Sequence, residues 1–427
     1  MKVLVVGSGS REHAICWKLA KSPKVSQVIC SPGNPGIGEV AALASVAVTD
    51  AHGMLELAQR EKVELVVVGP EAALAAGVVD TLRAAGFAVA GPTQRAAQIE
   101  ASKAFAKEIM DKAGVPTASY HVFTEEAPLR EYCARVGAPL VLKADGLASG
   151  KGVFVITEES QFDDALSQLF GGLKADKVVA EEFLEGVEVS CIFATNGESV
   201  IPLAPAHDYK RLLDNDMGPN TGGMGSVCPS PRISKEELDW VQSTIAQKMV
   251  VTMRDMGIPF SGFLYAGLMV PDRAQREMGL DEWLKGVRVL EFNARLGDPE
   301  CQAILVRLSS DLVDLCEWIA GGSQTPEVTW SGAVSTCVVV ASDGYPENVV
   351  TGDRIDGLEL VSLVPGCAVF HAATKRNENG RLVTAGGRTL SVVGVGNGYE
   401  EARGIAYKGV DLIQMRGRRV RRDIGAE

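Results

Sequence analysis

No stretch of the 427 residues approaches the roughly 20 apolar residues that a membrane helix needs, so no membrane partner is expected. Histidine is scarce: His13, His52, His121, His207 and His371 lie far apart with no HExxH, which argues against a zinc site. Nine cysteines are scattered singly and none forms a C-x-x-C, so they read as reduced thiols of a cytoplasmic protein. The chain also lacks net positive charge. Its 42 Lys and Arg against 54 Asp and Glu give −12, which argues against nucleic-acid or membrane-surface binding but allows a local basic pocket. The opening "MKVLVVG" is too soon interrupted by glycine to be a leader. Internal repeats and low-complexity tracts are missing too, and the length points to about two to four globular domains.

What is present begins as an alternation of strand and helix. "KVLVV" (2–6), "SQVICS" (26–31), "LVVVG" (65–69) and "FAVAG" (87–91) read as strands, with helical spacing at 11–21 and 72–85. That rhythm predicts a parallel, doubly wound sheet, whose ligands sit at the carboxyl ends of the strands. Glycine-bearing turns fall there: "GSGSRE" (7–12), "SPGNPG" (31–36) and "GPE" (69–71), and three at one edge point to a shared cleft. Further on, "PLVLKADGLASGKGVFVI" (139–156) reads as strand, glycine-rich loop, strand. "KVVAEEFLEGVEVSCIFAT" (177–195) predicts two strands of a small antiparallel unit around an acidic turn. "GFLYAGLMV" (262–270) and "VRVLEFNARL" (287–296) predict two more, separated by a polar surface insertion at 271–286. From about 330 short β runs dominate, "LELVSLV" among them, before a last helix at 400–414; the arginines of 416–422 read as a solvated tail.

The first turn resembles a dinucleotide fingerprint and fails it twice. Glu12 stands where the third glycine belongs, and the second strand ends "CSPGNPG" with no acid for a ribose. Its helix N-terminus still suits an anion, helped by Arg11. "GLASGKG" (146–152) is not a Walker A loop, because Gly146 and Gly150 are three residues apart and Gly152 replaces the hydroxyl. Ser149, Lys151 and the backbone N–H groups can nevertheless fold over phosphates. Lys143 sits in an apolar strand, where an unpaired charge is costly, and a phosphate would account for it. "EEFLEGVEVS" (181–190) is either a solvated hairpin or a hinge reading adenine with one carboxylate on a ribose. In "VLEFNARLGDPE" (289–300), strand alternation puts Glu291, Asn293 and Arg295 on one face. Two hard oxygen donors suit Mg²⁺, and a guanidinium beside them can clamp a carboxylate or phosphate. The alternative is a surface strand with a salt bridge. "HDYKRLLDNDMGPNTGGMG" (207–225) sets Asp208, Lys210 and Arg211 beside a long glycine-rich loop.

Together with "IEASKAFAK", "EEFLEG", "GPNTGGMG" and "SDGYPE", these segments resemble the ATP-grasp enzymes, and in their order the phosphoribosylamine–glycine ligase (glycinamide ribonucleotide synthetase) family, over nearly the whole chain. The resemblance implies an α/β fold: a Rossmann-like N-terminal domain (1–102), ATP-grasp domains (103–328, with a lid at 118–192) and a small β-rich C-terminal domain (329–427). It implies an ATP-dependent ligase of purine biosynthesis, a monomer acting on glycine and 5-phosphoribosylamine with Mg²⁺ or Mn²⁺. ATP would be bound by Lys103, Lys143, Ser149, Gly150, Lys151, Gly152, Glu181, Phe183, Leu184 and Glu188, and the metal by Glu291 and Asn293. Lys143 and Arg295 would be catalytic. Gly9, Arg11, Gly33, Asn34, Glu71, Asp208, Lys210, Arg295 and Asp298 would form the substrate cleft. Ser8 and Ser10 depart from the family's frequent Asn and Gly, Leu296 from a frequent Phe, and the 271–286 segment is longer than usual. A biotin or purine carboxylase would share the ATP-binding parts but not "RLGDPE". An NAD-dependent protein would need the missing glycine and acid.

Overall fold

The buried run of Val3, Leu4, Val5 and Val6 is apolar on both faces, as only a strand covered by helices on both sides can be. In the computed structural model, which describes residues 1–147, 152–272 and 279–426, it forms the centre of a five-stranded parallel sheet. The order is Ala42–Leu43, Gln27–Pro32, Lys2–Gly7, Leu65–Val68, Ala88–Ala90. The helical stretch expected at 72–85 is two helices, Glu71–Ala75 and Val78–Ala84, because Gly77 between them turns left-handed at φ 74°.

Two antiparallel four-stranded sheets follow. One runs Tyr120–Phe123, Val178–Glu182, Leu140–Ala144, Val153–Ile156; the other Val200–Pro202, Val187–Asn196, Ser261–Val270, Arg288–Asn293. The two strands expected to form one small unit at 177–195 therefore belong to different sheets. Val178–Glu182 pairs with the first, and Val187–Asn196 pairs along its length with Ser261–Val270. Residues 187–192, grouped with the lid in the sequence reading, thus hydrogen-bond outside the lid's sheet. The crossing needs Gly186, at φ 146°, where a Cβ would sit 2.4 Å from the Val270 carbonyl oxygen. Period-2 alternation marks each strand but carries no information about its partner.

Three further expectations change in whole or in part. Part of the 271–286 segment, 273–278, lies outside the described residues. The rest is largely exposed, as expected of a surface insertion, but it is helical over Leu280–Gly286 and anchored by Trp283, which has no exposed surface. "LELVSLV" is not a strand but begins with helix Leu358–Val361, burying Val361 and leaving Leu363 exposed. The 416–422 run is not wholly solvated: Arg421 is buried. The C-terminal sheet is completed from the middle of the chain, in the order His207–Asp208, Gly225–Cys228, Val334–Ala341, Arg388–Gly396, Cys367–His371, with helix Tyr399–Leu412 packed on it. This interleaving carries Asp208 and Lys210 to the junction of all three regions.

Candidate active site

A cleft of about 1100 Å³ opens at that junction. Eight Lys and Arg side chains line it against nine Asp and Glu, so the local balance is near neutral in a chain of −12. One wall begins at helix Lys103–Ala113. Its N-terminus is capped by Ser102, whose Oγ accepts the Phe105 N–H at 3.1 Å, and tied to the end of strand Leu140–Ala144 by Asp145, which accepts from the Ser102 hydroxyl and the Ala104 N–H. Lys103 and Lys107 lie one helical turn apart and both face the cleft. Lys107 was missed in the sequence, although that spacing in "SKAFAKE" is the signal for it.

Glu181 joins this helix to the strand. Its Oε2 accepts from Lys143 at 2.9 Å and lies 3.1 Å from Lys107, while its Oε1 is buried without a hydrogen-bond partner. Lys143 also donates to the Leu290 carbonyl at 3.1 Å. A phosphate is therefore not needed to explain the burial of Lys143, because Glu181 already compensates the charge. Burial lowers the Lys103 and Lys107 amines, with the acids around them opposing it. Gly152 lines the cleft; Ser149, Gly150 and Lys151 lie outside the described residues. Phe183 and Leu184 sit in the crossing between the sheets and do not line the cleft.

Glu291 and Asn293 share a face of strand Arg288–Asn293, with Asn293 Nδ2 3.5 Å from Glu291 Oε1. Burial would raise the Glu291 carboxyl, but Lys210, Lys143 and Lys103 hold it below the usual range, so it stays an anion. Lys210 in turn donates to Glu188 and stands 4.0 Å from Glu291. Against burial, Glu188, Tyr265, Glu291 and Asp208 keep Lys210 well above its ordinary value. Among the described residues no group of three or more His, Cys, Asp or Glu could hold a metal ion. A two-oxygen site fits a cation that takes few protein ligands, as Mg²⁺ does, with phosphate and water completing its shell.

Arg295 follows on the same side. Its guanidinium lies 3.0 Å from Glu100 and 3.4 Å from Glu71. Glu100, also missed in the sequence, uses its other oxygen to accept the Ala294 N–H at 2.7 Å, which fixes the backbone beside the arginine. Asp298 accepts from Gln302 at 2.8 Å and lies 3.6 Å from Arg388, a cleft residue of the C-terminal sheet that no local sequence pattern marks. Against burial, Arg388 and Arg11 hold Asp298 below the usual carboxylate range. Asp208 has the opposite bias. Burial and the like charge of Glu300 push it well up, and its Oδ1 is buried without a hydrogen-bond partner. Glu300 is engaged by the Ser190 hydroxyl at 3.0 Å, itself 2.8 Å from the Tyr265 hydroxyl.

The glycine turns divide. Glu71 and Arg11 line the cleft, and Gly9 backs onto Asp298. The Gly9 N–H, however, is taken by Glu12 Oε2 at 2.6 Å, and Arg11 Nε by Glu12 Oε1 at 2.6 Å. Gly33 and Asn34 lie in a separate shallow depression, and the Asn34 amide is spent on the Ser8 and His371 carbonyls and the Ile37 N–H. The three turns thus do not share one cleft.

This arrangement of sheets and cleft is that of an ATP-grasp protein. The structure superposes with a TM-score of 0.72 on the biotin carboxylase domain of Hydrogenobacter thermophilus 2-oxoglutarate carboxylase, over 98% of this chain and 91% of that one; at 16% identity the likeness is of fold alone. Residues 1–100, 101–301 and 335–427 match in turn the N domain, the ATP-grasp (A) domain and the C domain of phosphoribosylglycinamide synthetase. The chain belongs to the phosphoribosylglycinamide synthetase family. It is 47% identical to the phosphoribosylamine–glycine ligase of Streptomyces coelicolor, over 100% of this chain and 99% of that one. A crystal structure of the Thermotoga maritima phosphoribosylamine–glycine ligase superposes with a TM-score of 0.84 at 32% identity, covering 99% of this chain and 100% of that one.

Proposed function

We propose that the protein joins glycine to 5-phosphoribosylamine at the expense of ATP, giving glycinamide ribonucleotide, ADP and phosphate through a glycyl phosphate intermediate in purine biosynthesis. One observation carries the reading beyond family membership: the lysines 103, 107 and 143, the Glu291–Asn293 oxygen pair and Arg295 converge on one cleft. A carboxylate is a poor electrophile. Attack of its oxygen on the γ-phosphorus, with the bond to the β-phosphate oxygen breaking, releases ADP and leaves an acyl phosphate. The amine nitrogen then attacks the acyl carbon, phosphate leaves, and the nitrogen loses a proton. No Ser or Cys nucleophile is required; rate comes from position and charge neutralisation.

In this reading Lys103, Lys143 and the 146–152 loop hold the triphosphate, with Glu181, Phe183, Leu184 and Glu188 around the nucleoside. Lys107 acts with Lys143 through their common partner Glu181. Mg²⁺ or Mn²⁺, held by Glu291 and Asn293, would neutralise the phosphate oxygens. Arg295, fixed by Glu71 and Glu100, orients the carboxylate. Gly9, Arg11, Asp208, Lys210 and Asp298 line the remainder of the substrate space. Gly33 and Asn34 act on the fold rather than on the substrate. The domain limits 1–102, 103–328 and 329–427, with a lid beginning at 118, belong to the same reading. Nine free cysteines, eight of them buried, support a cytoplasmic protein, and a monomeric state belongs to the same reading. The test is ADP release in a coupled assay. It should require both glycine and phosphoribosylamine; release that depends on bicarbonate instead would point to a carboxylase.

A further inference from the structure

Arg421 is the arginine of the 416–422 run that leaves solvent. Its side chain is 1% exposed, whereas those of Arg416 and Arg422 are 81% and 49% exposed. A buried guanidinium is tolerated only with partners on most of its N–H groups. Here Nε and one Nη donate to Asp423 at 2.8 and 2.7 Å; the other Nη donates to Asp216 at 2.7 Å and the Arg211 carbonyl at 3.2 Å. The guanidinium also lies 5.1 Å from the Tyr209 ring.

Asp423 is a neighbour within the tail, but Asp216 and Arg211 belong to a hairpin, Arg211–Leu213 with Met217–Asn220, which among the described residues is a two-stranded sheet with no third strand. Its tip pair, Leu213 and Met217, is 47% and 62% exposed, so apolar packing does not hold it. Such a ribbon is marginal alone. The tail supplies what it lacks. Besides Arg421, the Arg422 N–H donates to Asp214 at 2.7 Å, the Asn215 N–H to Asp423 at 2.8 Å and the Gly425 N–H to the Tyr209 hydroxyl at 3.1 Å. The hairpin carries Asn220, Thr221 and Gly222 into the cleft wall, and the Thr221 N–H and hydroxyl both donate to the Lys210 carbonyl at 2.8 Å.

We infer that Arg421 is a positioning residue: it straps the 211–220 hairpin to the C-terminal tail and so sets the Lys210–Thr221 wall of the cleft. The kinetic consequence rests on the ligase reading; the mechanical one does not. The lysines proposed for ATP sit on other elements, and Glu188 and Glu291, which Lys210 meets, are held by strands Val187–Asn196 and Arg288–Asn293 rather than by the hairpin, so the wall can shift while the nucleotide site keeps its own supports.

The test uses the full chain with Arg421→Met. Tryptic cleavage after Lys210 and Arg211 in the native protein should be at least ~10-fold faster, reporting local opening. KM for glycine or phosphoribosylamine should rise about tenfold, while the affinity for Mg²⁺–ADP stays within about threefold. Arg421→Lys keeps the charge and loses the fork, and should fall between. Unchanged cleavage and KM overturns the inference, as does a loss of ADP affinity in step with KM. If Arg421→Met does not fold, Asp216→Ala decides, at a side chain 70% exposed: faster cleavage at the same bonds supports the strap, and wild-type cleavage rejects it. A wild type without ligase activity would sink the ligase reading and leave the cleavage result standing.

Discussion

The Glu12 carboxylate accepts the Gly9 N–H at 2.6 Å, at the N-terminus of helix Ser10–Leu19. The residue that removes the third glycine of a dinucleotide fingerprint is thus the anion its own turn binds. The fit is close. A Cβ on Gly7 would sit 2.3 Å from Glu12 Cγ, and one on Gly69 2.1 Å from Glu12 Oε1, so two strand ends are moulded around this side chain. Glu12→Ala should leave the buried Arg11 without its carboxylate and the helix without its cap, costing ~3–5 kcal/mol of stability. Denaturant unfolding measures it; a loss below about 1 kcal/mol would mean the pair contributes little.

Glu291→Ala should abolish ligase activity while the circular dichroism spectrum stays that of the wild type. Removing a ligand of the cation that would neutralise the phosphate charge costs at least ~10²–10³ in kcat. Its removal also leaves Lys210 with Glu188, so the fold keeps its local pairing. Full turnover at saturating Mg²⁺ would reject the metal role.

Lys143→Ala should weaken ATP binding by ~10-fold or more while costing little stability, because Lys107 stays 3.1 Å from Glu181. Glu181→Ala should behave differently. It strands two buried amines at once and should destabilise the fold by ~3–5 kcal/mol. Calorimetric ATP titrations and denaturant melts of the two variants separate these effects; equal melts would show that the shared carboxylate does not matter.

The parts of this molecule legible in sequence are local ones. The buried-strand run "KVLVV", the Glu291–Asn293 alternation and the two strands flanking the glycine-rich loop after Lys143 rest on periodicity or on residue type within one segment. What was missed depends on partners far along the chain. Glu100 and Arg388 meet the cleft only through tertiary placement, and the buried Arg421 pairs with Asp216, about half the chain away. The crossing at Gly186 escaped because two strands in different sheets alternate just as two in one hairpin do. Asn34 is placed in the substrate cleft by the resemblance alone; in the structure the carbonyl of His371 claims its amide, a partner far along the chain.

The His371 N–H donates to His13 Nδ1 at 2.8 Å, which requires a neutral imidazole with its proton on Nε2. Burial, reinforced by the neighbouring His371, lowers His13 from its ordinary 6.5 to about 3; burial, reinforced by Arg376, lowers His371 to about 4. Both folded-state values lie below the unfolded one, so the unfolded chain takes up protons first as the pH falls. Stability from this pair is complete above pH 6.5 and declines below it, by up to ~1.4 kcal/mol per pH unit for each imidazole, until the folded values are reached. Because the pair joins helix Ser10–Leu19 to strand Cys367–His371, acid should loosen the N-terminal and C-terminal regions from each other. His13→Asn keeps an acceptor for the His371 N–H and removes one titrating group. Its unfolding free energy should therefore depend less steeply on pH between about 6 and 4.5 than the wild type's. Parallel slopes in urea melts across that range would show that His13 does not carry the acid sensitivity.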